Sequence, residues 1–578
     1  MGFFIDRENK MEAGKRTIRE VFNRGRNLEI PFFQRNYVWD EKEWERFLDD
    51  MIHISATKRP YFLGSVILKQ QPTPSNSDEK RTVIDGQQRL TTLNIFFKVL
   101  CLKVNSLSDF QQVFKKQKKP HENILIHNRH DLASFNKILN LESLDEIPVT
   151  DQITKAYNFF KSKIDSTLQQ DLDIYDLLDN IVFVGIDLSY DDNEQLIFDT
   201  INSLGVRLTT AELLKNYLFN SKTIQDYVDY WQPIFEKDKD TIEYWDTELH
   251  TNKRTFSDIF LFSYLQIKSN QTNLSISTFD KSDFFKVEDL FQSYKTYNDK
   301  YLKNTLQSKE SLEEIKTYAE IFKKNFNYES LNDSTPSESS ISRIQTIIFA
   351  LDTTTLIPYI LFILKNVTDI TDQNELFGVI ESYLIRRIIT KESTKTYSKL
   401  FIELIEKNIL NTPSFITHMK KVDSAHKFPN DEDLLQGFKN SSLINKQALG
   451  IIYLLETAQY SPKSSTTLLN IKEYTLEHLM PKKWETNWGA AQNYDIRNQV
   501  ILTLGNLAIL THSLNSSIKN ANWDIKKVGN KKSKGLDEYA QGLKTLTPYL
   551  ALTSWDEEAI NQRADDLYNL ALQTWQSI

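Results

Sequence analysis

The stretch Arg81-Thr82-Val83-Ile84-Asp85-Gly86-Gln87-Gln88-Arg89-Leu90 governs the reading of the first third of the chain. Arg81 to Ile84 reads as a strand, and from Leu90 the residues LTTLNIFFKVLCLKV carry apolar groups at helical spacing. Asp85 to Arg89 therefore makes a strand-to-helix turn. Free backbone N–H groups and the positive end of the helix dipole project from such turns, which suits them to phosphate. Gly86 lets a ligand approach closely, Gln87 and Gln88 can both donate and accept, and Arg89 can clamp a phosphate with two bonds. Asp85 can bind a metal or position water. A plainer reading stands beside this one: Asp-Gly is a turn former, and a pair between Arg89 and Asp85 or Asp50 can be purely architectural.

Working outward, Tyr61 to Leu68 (YFLGSVIL) reads as a second strand, joined to Arg81–Ile84 by the polar loop QQPTPSNSDEK in a hairpin-like pair. Ile181 to Leu188 (IVFVGIDL) reads as a further buried strand. Residues 191–219 read as two helices, with Gly205 ending the first and Thr209 and Glu212 forming a capping box for the second. From 221 to 445 the chain is rich in Tyr, Phe, Leu and Lys at helical periods, with a Ser/Pro-rich loop at 330–342. A second break, YSPKSSTT at 460–467, precedes the C-terminal region. The expected domains are 1–220, 221–445 and 446–578.

Composition agrees with this outline. There are 15 Gly and 14 Pro in 578 residues, about 5% of the chain against an average near 12%, which favours helices over turn-rich β folds. With 40% hydrophobic and 26% charged residues the chain is globular rather than disordered. A single cysteine, Cys101, excludes a disulfide framework and a Cys-rich zinc site and fits a reducing, cytoplasmic setting. The most apolar stretch, Leu356 to Leu364, is too short to span a membrane, and MGFFIDRENK reads as neither a leader nor a lipidation signal, so the chain is expected to be soluble and mature. The net charge of −8 excludes a general polycation, so any DNA contact must come from local basic patches. Lys519, Lys526 and Lys527 open one such patch.

Near the C-terminus, YTLEHLMPKKW places Glu477 beside His478, ahead of Pro481; Asn506 and Asn515 follow downstream. Cutting a phosphodiester needs a base to deprotonate water and a hard cation to offset charge on the phosphate. His478 supplies the base. Magnesium (or manganese) keeps several waters, so one carboxylate from Glu477 and one amide oxygen from Asn515 suffice as protein ligands. TLEHL and GNLAIL read as strands, with a bend required before Pro481, and Ser513–Asn520 starts a helix: a β-β-α unit. His512 is an alternative base or ligand without an adjacent acid.

This β-β-α arrangement resembles the HNH nuclease finger, and the EHxxP…GNL…N wording resembles the HNH-like C-terminal domain of the GmrSD family of modification-dependent, type IV restriction enzymes. The resemblance implies His478 as general base, Glu477 and Asn515 as metal ligands, Asn506 as the residue that holds the loop or orients His478, and Lys519, Lys526 and Lys527 as phosphate contacts. The chain carries Glu where typical HNH motifs carry Asp. Upstream, FQRNYVW, YFLGS, VIDGQQRLTTL and INSLGVRLTTAELLKN appear in the order of the same family's N-terminal domain. That likeness implies a ParB/sulfiredoxin-like fold in which Asp85, Gly86, Gln87, Gln88 and Arg89 meet a nucleoside triphosphate (GTP, ATP or another), with Gln34 and Arg35 nearby, and an NTPase activity is expected to follow. Asn202, Gly205 and Arg207 fit either that pocket or a helix cap and turn. Arg386 and Arg387 fit either a face toward DNA or a homodimer partner, or buried ion pairing.

The expected fold is therefore multidomain and predominantly α: a mixed α/β first domain, a helical middle, and a ββα-metal nuclease embedded in helices. The expected function is phage defence by metal-dependent endonucleolytic cleavage of foreign, base-modified double-stranded DNA under nucleotide control. The rival readings are a nucleotide-dependent DNA-binding regulator and an RNA-cleaving abortive-infection toxin.

Overall fold

A computed structural model describes residues 12–31, 34, 36–74, 77–128, 131–189, 209–219, 223–249, 253–271, 274–461, 463, 468–530 and 533–578. The chain divides into two compact units, Met1–Val228 and Asp229–Ile578, so the helical middle and the C-terminal region share the second unit.

The first unit is built on a mixed six-stranded sheet. Its strands are β1 (Glu12–Thr17), β2 (Arg26–Glu29), β3 (Tyr61–Gln70), β4 (Glu79–Asp85), β5 (Leu125–Ile126) and β6 (Ile181–Leu188), in the order β1-β6-β3-β4-β2-β5. The expected hairpin is present, with β3 and β4 antiparallel. A register shift between Ile67 and Leu68 falls opposite the end of β4, bending the sheet where Asp85 leaves it. One face buries Val66, Leu68, Val83 and Phe183 against α1 (Glu41–Thr57) and α2 (Gln87–Lys103), while Ile67, Ile84, Ile186 and Leu188 form a smaller cluster. Helix α2 is buried almost all round, from Gln87 to Leu102, as its nearly unbroken apolar run requires. The Thr209–Glu212 capping box forms as read from the sequence. The helix expected before it, with Asn202, Gly205 and Arg207, lies outside the described residues.

The second unit is helical, and its core contains buried arginines held by carboxylates and backbone carbonyls. In α3 (Ile370–Ile389), Arg386 donates to the carbonyls of Trp575 (2.7 Å) and Pro429 (3.1 Å) and to Asp431 (2.7 Å), and Arg387 reaches the carbonyls of Lys427, Ser393 and Ala425. Both arginines have no exposed surface, so they hold the core and do not face DNA or a partner copy. Glu381 of α3 pairs with buried Arg343 at 2.6 Å and accepts the indole N–H of Trp575 at 2.7 Å. The bonds to Trp575 tie the helical middle to the residue that follows the last helix.

In the C-terminal region β7 (Tyr474–His478) and β8 (Leu507–Thr511) are antiparallel and lead into α4 (His512–Ile518), giving the ββα order expected from the sequence. The short helix α5 (Trp523–Val528) and the long α6 (Glu557–Thr574) follow. Among the described residues no helix is long and apolar enough to cross a membrane.

Candidate functional site

In the second unit, register places Glu477 opposite Ala508 and His478 opposite Leu507, the last pair of the ladder. The chain then bends at Leu479 and Met480. Asn506 makes that bend. Its backbone carbonyl accepts Leu479 N–H at 2.9 Å, and its side-chain oxygen accepts Met480 N–H at 2.8 Å and the Trp555 indole N–H at 2.9 Å. Its amide nitrogen donates to the carbonyls of Met480 (2.8 Å) and Ile501 (2.9 Å). With no exposure and its amide fully engaged, Asn506 holds the loop, the first of the two roles the resemblance implies for it.

Asn515, on α4, donates from its amide nitrogen to Thr475 Oγ1 (2.9 Å) and to the carbonyl of Leu476 (3.2 Å), the two residues before Glu477. The nitrogen is thus committed to the strand, and the amide oxygen is the atom left to offer a cation. Glu477 is buried and ion-paired with Lys526, whose ammonium also donates to the His478 carbonyl at 2.9 Å. Lys526 therefore does not belong with the DNA-facing lysines. Trp523 and Lys526 lie three residues apart on one face of α5, and both are buried, so the helix turns that face inward. Lys519 is exposed, and Lys527, half-buried, donates to the carbonyl of Leu552 at 2.8 Å.

His478 is half-buried, and burial, with the nearby Lys482 and Lys526 charges, pushes its imidazole down to about 4. It is neutral at pH 7 and can accept a proton. Burial raises the Glu477 carboxyl, with Lys526 pulling against that shift. His512 stands exposed at the start of α4. Among the described residues no group of three or more His, Cys, Asp or Glu side chains is placed to hold a metal. A divalent ion would rest on the Glu477 carboxylate, the Asn515 amide oxygen, water and substrate phosphate. Those are hard oxygen donors of the kind magnesium takes, and in that chemistry the residues fit it.

The turn after β4 is a separate arrangement in the first unit. Gly86 has φ +98°, and a Cβ there would meet Val66 Cγ2 at 3.0 Å and the Ser65 carbonyl at 3.2 Å, so the glycine serves close packing onto β3. Asp85 accepts the Ser65 hydroxyl at 2.9 Å, with Arg89 Nη1 3.8 Å away. Arg89 also donates to the Ser65 carbonyl and lies across Gly64. Asp85 and Arg89 each keep about a quarter of their side-chain surface, 24% and 27%, open to solvent. Gln87 and Gln88 are buried. Gln88 accepts Val38 N–H at 2.9 Å and donates to the Asn36 carbonyl at 3.2 Å, and Gln34 donates to the carbonyls of Val83 (3.1 Å) and Ile84 (3.0 Å). Of the nucleotide contacts implied by resemblance, Asp85 and Arg89 stay partly exposed while Gln34 and Gln88 lock the loop onto the strand. Arg35 lies outside the described residues.

Sequence reading overlooked the support behind this turn. Asn128 donates to the Gln34 carbonyl at 3.0 Å, Asp131 accepts Tyr37 N–H at 2.7 Å, and His127 Nε2 lies 2.9 Å from Thr91 Oγ1. His127 Nδ1 lies 3.2 Å from the Asn128 backbone nitrogen and 3.5 Å from Asp131 Oδ2. The signal was the polar run His127-Asn128 and Asp131 directly after an apolar strand.

Two family models match these two regions. The model of the GmrSD restriction endonuclease N-terminal domain covers residues 18–219, and that of the GmrSD restriction endonuclease C-terminal domain covers residues 428–570. Together they span more than half of the chain and place it among the restriction endonucleases. Within that class it belongs to the GmrSD family. Comparison with curated proteins gives no match.

Proposed function

We propose that this restriction endonuclease cleaves foreign, base-modified double-stranded DNA with a divalent cation at the ββα unit, in an HNH-type reaction controlled by a nucleoside triphosphate at the ParB-like first unit. The observation that supports the reading is that Asn515 of α4 bonds to Thr475 and Leu476, just before Glu477 and His478 at the end of β7, with Asn506 fixing the bend that follows. His478, neutral at working pH, takes a proton from water, which attacks phosphorus in line with the leaving 3′ oxygen. Magnesium or manganese, when bound, offsets the charge that develops on the phosphate and the leaving oxygen. Glu477 and the Asn515 oxygen would hold such an ion, and exposed Lys519 steers the DNA backbone. In the first unit the partly exposed Arg89 contacts the triphosphate, and Asp85 beside it binds a metal or positions water.

The test is nicking of modified against plain phage DNA, with magnesium or manganese, with and without each triphosphate, for the wild type and His478→Ala. Cleavage by the wild type, lost in His478→Ala while DNA binding persists, supports the reading. Wild-type DNA left intact under every condition leaves the chain a DNA-binding regulator, and RNA cut in place of DNA makes it a toxin.

A further inference from the structure

The proposed cation site already holds a positive charge. Lys526 has no exposed side-chain surface, its ammonium is ion-paired with Glu477, and a second bond reaches the backbone carbonyl of His478 at 2.9 Å. Nothing about this lysine resembles a phosphate contact on an open face. A buried carboxylate left alone is costly, and an ammonium donating to it and to an adjacent carbonyl removes that cost. A divalent ion on Glu477 would meet the lysine's charge at close range in a poorly solvated setting, where like charges repel strongly. Lysine suits such exchange. Its charge sits at the end of a flexible four-carbon stem, so the ammonium can leave without moving α5.

We infer that Lys526 is a built-in competitor for the divalent cation: it occupies Glu477 when the ion is absent, and the ion binds only by displacing it. The inference rests on the proposed metal site and adds its regulation. The ββα unit then binds metal weakly on its own. DNA phosphate, by supplying negative charge to both cations, strengthens metal binding, which keeps the cutter idle until substrate is seated.

The test is Mn²⁺ binding to the full chain without DNA, read from the paramagnetic signal of free Mn²⁺, for wild type, Lys526→Met and Glu477→Gln. In parallel, acylation of Lys526 in the wild type is followed by mass spectrometry with and without Mn²⁺. The expected result is Mn²⁺ affinity at least tenfold tighter in Lys526→Met, abolished in Glu477→Gln, and acylation of Lys526 several-fold faster once Mn²⁺ is bound. If Lys526→Met does not fold, the wild-type acylation alone decides between competition and its absence. Wild-type binding that depends on Glu477, with Lys526 equally shielded throughout and Lys526→Met no tighter, overturns the competition and leaves the metal site standing. No Glu477-dependent Mn²⁺ binding in either protein overturns both.

Discussion

The side-chain carbonyl of Gln88 accepts the backbone N–H of Val38 at 2.9 Å, and its amide nitrogen returns a bond to the Asn36 carbonyl at 3.2 Å. A residue in the middle of a phosphate-like turn thus spends its polar atoms on the protein. Replacing Gln88 with Leu removes the partner of the Val38 and Trp39 N–H groups and of the Asn36 carbonyl, all only part-buried, so an overall loss of about 1–3 kcal/mol in urea unfolding is expected. Asp85→Asn, on a partly open side chain, should change unfolding by less than about 1 kcal/mol while weakening triphosphate binding. A Gln88→Leu protein with unchanged stability and no triphosphate binding would make Gln88 a ligand contact.

Gly64, with φ +132°, lies beneath Arg89, and a Cβ there would come within 2.9 Å of Arg89 Nε. Gly64→Ala combines backbone strain of about 1–3 kcal/mol with displacement of the guanidinium. The expected outcome is a folded but destabilised chain whose triphosphate affinity falls several-fold, measured by calorimetry. Gly25→Ala is the control, since the nearest atom to its Cβ would be Asn23 Oδ1 at an ordinary 3.5 Å. Unaltered triphosphate affinity in Gly64→Ala would remove Arg89 from the site.

His127 and Asp131 lie 3.5 Å apart behind this turn and titrate in opposite senses. Burial pushes His127 from 6.5 down to about 4, so the unfolded chain binds the extra proton and its contribution is lost as pH falls from 6.5 to 4. Burial pushes Asp131 from 3.8 up to about 6, so its contribution is present below 3.8 and is lost as pH rises through 6. Each shift amounts to about 3 kcal/mol. Relative to wild type, Asp131→Asn should lose stability more steeply on acidification from pH 6 to 4, and His127→Gln should lose it less steeply or gain. Urea midpoints measured across that window check both signs, and parallel slopes in all three proteins would refute the assignment.

What the sequence revealed follows what each segment buries. The β3–β4 hairpin, the Thr209–Glu212 box and the order of β7, β8 and α4 were legible because their apolar periods and caps are local. Strands β1 (EAGKRT) and β2 (RNLE) were not, since they are polar and become strands by pairing with β6 and with β4 and β5. At the sites the residue types were readable but their directions were not. Gln88 and Lys526 look like solvent-facing ligands in a linear chain, and only tertiary packing turns them inward. Trp523, one helical turn before Lys526, was the one local hint that this face of α5 is buried.

Asn506 and Asn515 carry the same functional group into opposite fates, and truncating each should separate scaffold from chemistry. Asn506→Ala leaves the Met480 N–H, the Trp555 indole and two carbonyls without a partner in a site with no exposure, at about 3–5 kcal/mol. Its thermal transition should fall, and cleavage should fail because the bend after His478 is gone. Asn515→Ala removes two bonds from a half-buried side chain, at about 1 kcal/mol, yet cleavage of supercoiled DNA should drop at least about 100-fold if its oxygen holds the ion. Thermal unfolding and nicking rates on the same two proteins settle the division. A fully stable but inactive Asn506→Ala would return that residue to the chemistry, and an active Asn515→Ala would take the other out of it.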